Sequence, residues 1–489
     1  MKTQILNLGK DSLIYGVGSV ITRFIGLLML PLFTAYLTPE EYGVLAMLAL
    51  LSMVVQPIFG LGLGAAMGPC YFESDDAQNK STVIWTTFLI HILSSALLVI
   101  VGFAFPSHIA ELVGLSSEQD QLITLSLTSC AFSILTTSIA TRLQFERQAK
   151  HYVAVTLITA VTTIFVSVIT IVILGWGVRG MVIGHLFGNL ITLLTLTYIV
   201  LRTTKIFVSK IIAKELIRNG FPLIPSFVFI FILMHANKFI IEWKLGLDAV
   251  GLYSIGFNIG MTISIITGGI SVAWYPFFLK FMNRQSEVNE IFSKIFSYYI
   301  IGVGLLCLFY FLFAKSIVEL LTQQDYHSTY HLVGFIAIAN FSQTLFVFFL
   351  PGLYFNKEVK YVSLIQGFAA LLSIPLNYYF IIEFGVVGAA VGLALSNTLM
   401  AIFLYIWNVI NKSRYPYVNY EWPRIFRFLI MLLFICIMNE CISANGIAYE
   451  VAKSISITTL AIILTFYLLT KNEKYFLLNL LKFKGVVKK

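Results

Sequence analysis

The chain has 489 residues, 58% of them hydrophobic and 11% charged, with a mean hydropathy of +0.89. That composition excludes a string of soluble domains and describes a protein with many membrane spans. The net charge of +9 gathers in short loops, so it points to membrane orientation and anionic headgroups rather than to nucleic acid.

Apolar runs of about 20 residues, enough to cross a hydrocarbon core, recur along the whole sequence. They are predicted near 12–36, 42–66, 83–105, 121–141, 152–174, 179–201, 219–242, 250–273, 295–314, 329–355, 361–382, 386–407, 425–443 and 453–470. This is an all-α integral membrane protein of about 14 transmembrane helices. The predicted organisation is an N-lobe (1–201, six spans), an amphipathic linker (202–218), a C-lobe (219–411, six spans), a C-terminal helix pair (412–470) and a basic tail (471–489). Met1–Asp11 leads into an apolar stretch too long for a cleavable signal, so it is read as the first span.

Local signals fit that map. Thr38-Pro39-Glu40-Glu41 is a helix start: Thr38 as cap, Pro39 at the first helical position, Glu41 completing a capping box. Pro31, Pro57, Pro222, Pro225, Pro351 and Pro375 fall within spans and predict kinks. In the linker, Arg202, Lys205, Lys210, Lys214 and Arg218 alternate with Ile206, Phe207, Ile211, Ile212 and Leu216. That pattern suits either a surface-lying amphipathic helix or a plain basic connector.

The basic residues set an orientation. With both termini in the cytoplasm, most of the 32 Lys and Arg fall in inner segments, and the outer loops hold only Arg179, Lys244, Lys315 and Lys453. Such a bias follows the positive-inside rule. Cys130, Cys307, Cys436 and Cys441 lie in spans and Cys70 inside, so no disulfide framework is implied.

The chain also repeats itself. Gly177-Val178-Arg179-Gly180, Gly184 and Asn189 are echoed 208 residues later by Gly385-Val386-Val387-Gly388, Gly392 and Asn397. Tyr42-Gly43 is echoed by Val250-Gly251 at the same offset. Each repeat has an even number of spans, so the two share one orientation, and a cavity between them is expected, as in transporters built from parallel repeats.

The candidate functional residues are the polar groups inside spans. Arg23 sits near mid-span, where an arginine costs about 2.5–3.5 kcal/mol or more. Gly16, Ser19 and Gly26 share its helical face, so it is expected to face a hydrated interior or to cap carbonyls of a broken helix. Lys238 occupies the equivalent helix of the second repeat; it meets substrate, snorkels outward or pairs with Glu242. Gln56, Asn237 and Asn258 suit sugar hydroxyls or interhelical bonds. His91, His185 and His235, with Glu242, are candidates for moving a coupling proton, or are ordinary core groups. No nucleotide-binding loop, metal-ligand spacing or nucleophile elbow is present, so nothing points to ATP drive, no cofactor is expected, and a transporter is expected rather than an enzyme.

Thr22-Arg23-Phe24-Ile25-Gly26, Leu37-Thr38-Pro39-Glu40-Glu41-Tyr42-Gly43, Val250-Gly251-Leu252-Tyr253-Ser254 and Ala273-Trp274-Tyr275-Pro276 together resemble the polysaccharide-unit flippases of the multidrug/oligosaccharidyl-lipid/polysaccharide exporter superfamily. The resemblance spans nearly the whole chain. It implies a bacterial inner-membrane flippase that moves a polyprenyl-diphosphate-linked glycan, such as an O-antigen unit, to the outer leaflet. It also implies a central cationic cavity lined by helices one, two, seven and eight. A polysaccharide polymerase and a chain-length regulator are the implied partners, beside membrane lipids. Lipid II flippases share the Ser/Thr-Arg-x-x-Gly pattern but typically carry a second arginine where this chain has Met29. The drug-exporting branch commonly uses a membrane-embedded acid, which the first half lacks. A membrane glycan polymerase would carry a large catalytic outer loop.

Overall fold

The computed structural model describes residues 16–18, 20–74, 76–281, 288–356, 358, 360–412, 418–441, 447–469 and 473–474, apart from the side chains of residues 440, 441, 447 and 448. Ser19 and all of the predicted basic tail except Glu473 and Lys474 lie outside the described residues. Among those described, every regular element is helical.

The helices are α1 (Gly16–Tyr36), α2 (Pro39–Phe59), α3 (Leu63–Phe72), α4 (Ala77–Ala104), α5 (Pro106–Leu112), α6 (Asp120–Phe145), α7 (Ala149–Val168), α8 (Gly177–Thr203) and α9 (Lys210–Gly220). There follow α10 (Ile224–Leu245), α11 (Leu247–Gly260), α12 (Ser264–Leu279), α13 (Val288–Leu312), α14 (Ala314–Leu321), α15 (Tyr330–Phe349), α16 (Pro351–Phe355), α17 (Lys360–Ile410), α18 (Trp422–Cys441) and α19 (Ile447–Leu468). Among the described residues, thirteen helical stretches are long and apolar enough to span a membrane. One of them, α17, runs 51 residues and turns at Gly385 (φ 59, ψ −138), so it makes two passes. That restores the fourteen spans read from the sequence, and the protein is a multi-pass membrane protein.

The chain forms two compact units. The first comprises Met1–Asn258, Leu321–Ser328 and Gln366–Ser396; the second comprises Ile259–Leu320, Thr329–Ile365 and Asn397–Lys489.

In the first unit, α2 starts as its sequence dictates. The Glu41 amide donates to Thr38 Oγ1 (3.3 Å), and the Thr38 amide donates to Glu41 Oε2 (2.9 Å). Small residues then set how closely helices approach, since apolar burial gives helices in lipid no preference for one another. Gly184 and Gly188 of α8 lie on Ser167 and Thr163 of α7, and Gly180 lies on Thr170 in the π-helical turn Ile169–Ile173 that follows α7, with no room for a β-carbon at any of the three. The repeat reproduces this: Gly388 and Gly392 lie equally close to Phe380 and Asn377 in the preceding leg of α17. The turns match too, with positive φ at both Gly177 (48°) and Gly385 (59°). Asn189 donates to Ser129 O (3.2 Å) and Oγ (3.0 Å), joining α8 to α6.

At the end of this unit where α6 and α8 finish, Arg142 is 6% exposed. Its Nε donates to Glu146 Oε1 (2.7 Å) and its Nη1 to Thr203 Oγ1 (2.7 Å), while Tyr71 Oη donates to the same Glu146 oxygen (3.1 Å). One ion pair thus ties α3, α6 and α8 together above a core of Leu63, Met67, Val83, Leu143, Leu196 and Leu216. Leu216 brings in the linker helix α9, capped by Ser209. The linker buries Leu216, while Ile206, Val208, Ile211, Lys205, Lys210 and Lys214 remain exposed.

The second unit is held by rings and one buried charge group. Trp274, Phe292, Phe296, Phe348, Tyr420 and Trp422 interlock. Arg424 Nη1 donates to Glu421 Oε2 (3.0 Å) and forms a two-armed pair with Glu473 (3.0 and 2.8 Å).

Candidate functional site

A cavity of about 440 Å³ opens in the first unit among α2, α3, α4, α6 and α10. It brings helices of the two sequence repeats to one space. Its floor is the run Gly60, Gly62, Leu63, Gly64 and Ala65, where the second predicted span breaks between α2 and α3. Its walls are Met53, Gln56 and Pro57 of α2, Ile134 and Thr137 of α6, His91 of α4, and Phe227, Ile230, Phe231, Met234 and His235 of α10. A Gly-interrupted span lining a cavity is a recurrent feature of transporter binding sites.

Three of the residues singled out from the sequence meet here. Gln56 is exposed, and its Nε2 donates to Ser133 Oγ at 3.3 Å. His91 is fully buried, with Nε2 lying 3.3 Å from Gly60 O. His235 is half-buried, its ring 5.7 Å from that of Phe231 and 5.8 Å from that of Phe257.

One turn beyond His235, on the same face of α10, stands Lys238. It is only 8% exposed, and its Nζ lies over the Phe257 ring, 5.1 Å from the centroid. Among the described residues it makes no hydrogen bond or ion pair. Glu242, one turn further, lies against Gly114 in the left-handed turn after α5. The Lys238–Glu242 pair that the spacing permits does not form. A cation–π contact is worth about 2 kcal/mol when desolvated, well short of the cost of burying a lone ammonium.

The remaining candidates lie apart from the cavity wall. Asn237 is 2% exposed and donates from Nδ2 to Tyr253 Oη (2.5 Å), so it joins α10 to α11. Asn258 is the exposed residue in an otherwise buried stretch of α11, and His185 is exposed on α8. Arg23 projects from the exposed side of α1, where Gly16 and Gly26 likewise have open space beside them. The opposite side of α1 is packed: Gly18 lies on Val153 of α7.

Sequence reasoning passed over Phe227, Phe231, Thr137 and the glycine floor. The signal was present in Gly60-Leu61-Gly62-Leu63-Gly64, three glycines in five residues inside a span. It also passed over Arg142 and Glu146, whose i,i+4 spacing at a span end is the mark of an ion pair.

A family model described as "Polysaccharide biosynthesis protein" matches residues 34–331. The chain is 24% identical over 309 residues to "Lsg locus putative protein 1" of Haemophilus influenzae, covering 60% of this chain and 72% of that one. Among solved structures it resembles the lipid II flippase MurJ in an inward closed conformation (TM-score 0.71, 15% identity, 93% of this chain and 99% of that one). It also resembles an inward-facing multidrug resistance MATE transporter of the MOP superfamily (TM-score 0.69, 16% identity, 81% and 98%). At these identities the likeness is one of fold.

Proposed function

The chain belongs to the polysaccharide biosynthesis protein family, and from that premise we propose that it is a flippase for a polyprenyl-diphosphate-linked oligosaccharide, such as an O-antigen unit. It acts in the bacterial plasma membrane with both termini in the cytoplasm, the orientation the basic loops favour. The glycan passes from the cytoplasmic to the outer leaflet and on to a polysaccharide polymerase and its chain-length regulator. Nothing in this requires bond-making by the protein.

The observation that carries the reading is Lys238. A buried ammonium with no counter-charge among the described residues, one turn from a cavity, is suited to receive an anion from the substrate. The diphosphate supplies it. Arg23, whose guanidinium matches a phosphate with two parallel donors, meets the same group during passage. Among the described residues the cavity lining carries no carboxylate and no Lys or Arg, so it suits the neutral sugars, with Gln56 offering an amide and Phe227 and Phe231 offering ring faces. Asn258 serves hydroxyls beyond the cavity, while Asn237 serves helix pairing. The polyprenyl tail stays in lipid.

The test is the leaflet that holds the lipid-linked glycan in a strain lacking the protein. Accumulation in the cytoplasmic leaflet is expected; accumulation in the outer leaflet would place the protein after translocation.

A further inference from the structure

The break in the second span is strained as well as glycine-rich. Leu61 (φ 52) and Gly62 (φ 63) are consecutive left-handed residues. Glycine adopts that conformation freely. A leucine there is strained and persists only where its surroundings impose it.

Those surroundings are visible. Gly62 and Gly220 meet backbone to backbone: the carbonyl of Gly220 occupies the place of a β-carbon on Gly62, and the carbonyl of Leu61 does the same for Gly220. Leu63, just after the break, is fully buried with Met67 and Leu216. The α3 side is therefore fixed to the linker helix.

On the α2 side, the Gly60 carbonyl accepts from the Leu63 amide (2.9 Å) and lies 3.3 Å from His91 Nε2. A carbonyl can only accept, so Nε2 carries the proton. Gly60, Gly62, Gly64 and Ala65 are the cavity floor, so whatever sets this break sets the shape of the floor.

We propose that His91 is a positioning residue for transport: its Nε2–H holds the Gly60 carbonyl and thereby fixes the left-handed Leu61–Gly62 pair that shapes the floor of the cavity. This rests on the transporter reading but assigns His91 a role that neither substrate contact nor proton carriage supplies. His91 acts through the backbone of α2 and α3.

Two variants separate the possibilities. His91→Gln keeps a donor at nearly the same reach, whereas His91→Leu keeps apolar bulk and loses it. Two measurements are made on each: amide hydrogen exchange across residues 59–65 in detergent, and glycan flipping in reconstituted vesicles. For His91→Leu the expected result is at least tenfold faster exchange at the Leu63 amide, unchanged exchange in α6 and α8, and at least a tenfold loss of flipping. For His91→Gln both readouts stay within threefold of wild type. A His91→Leu protein with wild-type exchange overturns the proposal. So does a His91→Gln protein that keeps its exchange pattern but no longer flips, because His91 would then be moving a proton. The exchange measurement contains no substrate. If the wild-type protein moves no glycan, the flippase reading fails while the exchange data still decide whether His91 holds the break.

Discussion

Gly43 and Gly251 hold α2 and α11 together through a reciprocal contact. The Leu247 carbonyl fills the space of a β-carbon on Gly43, and the Pro39 carbonyl fills that space on Gly251. Gly251 lies 208 residues after Gly43, and Leu247 lies 208 after Pro39. The repeat is therefore written into the structure as a crossing of equivalent helices on equivalent atoms. A side chain at either position must push the two backbones apart.

Gly43→Ala and Gly251→Ala should each destabilise the detergent-solubilised protein by about 1–3 kcal/mol through overpacking. The double variant should cost less than the sum, because one separation relieves both clashes. Thermal or denaturant unfolding of the four proteins provides the comparison. Strict additivity would mean that the two contacts are independent.

Much of this was legible in the sequence, for physical reasons. The spans follow from hydropathy, and the capping box at Thr38 from a local four-residue pattern. The equivalence of Gly43 and Gly251 follows from a fixed offset. What stayed hidden depends on which side chains meet across long sequence distances. The i,i+4 spacing allowed Lys238 to pair with Glu242, but Glu242 reaches Gly114, a residue 128 positions away. For Asn237 the sequence left sugar hydroxyls and interhelical bonding equally open, and its Nδ2 donates to Tyr253 Oη, 16 residues on. The predicted single span 42–66 concealed a strained break at Leu61, because hydropathy averages over the backbone and carries no φ.

Tyr326 closes over the same end of α2. Fully buried, it donates from its hydroxyl to the Leu37 carbonyl (2.7 Å) and sets its ring edge-on to Tyr42 at 5.5 Å. The Gln323 amide donates to Thr34 Oγ1 nearby (3.3 Å). Tyr326→Phe keeps the ring and loses the hydroxyl, leaving a buried carbonyl without that donor. A loss of about 1–3 kcal/mol is expected, with faster amide exchange over residues 321–328. A variant as stable as wild type would show that the ring contact alone seats this segment.

Arg142 and Glu146 make a different kind of claim. Removing the arginine leaves Glu146 without its strong partner at a largely buried position, so Arg142→Ala should cost about 3 kcal/mol. Arg142→Met with Glu146→Gln removes both charges together and should recover most of that. The readout is the melting temperature of the purified proteins together with membrane abundance. If the double variant melts no higher than the single, the arginine serves packing rather than charge balance.

Lys238 should show opposite effects on stability and function. A buried ammonium without a counter-charge among the described residues burdens the fold, so Lys238→Met is expected to raise stability by about 0.5–2 kcal/mol. The same change should lower flipping sharply, because the substrate loses its partner. Parallel loss of stability and transport would mark Lys238 as an ordinary structural residue.

The central claim is that a diphosphate is drawn through this protein by cations set within the membrane. Its most direct test is a vesicle assay with purified protein and a fluorescent polyprenyl-diphosphate oligosaccharide, scored by how fast the label becomes accessible to an external quencher. Wild type should expose the label, and Arg23→Ala and Lys238→Met, each inserted to the same level, should slow it at least tenfold. If both variants move the lipid as fast as wild type, those cations do not carry the diphosphate.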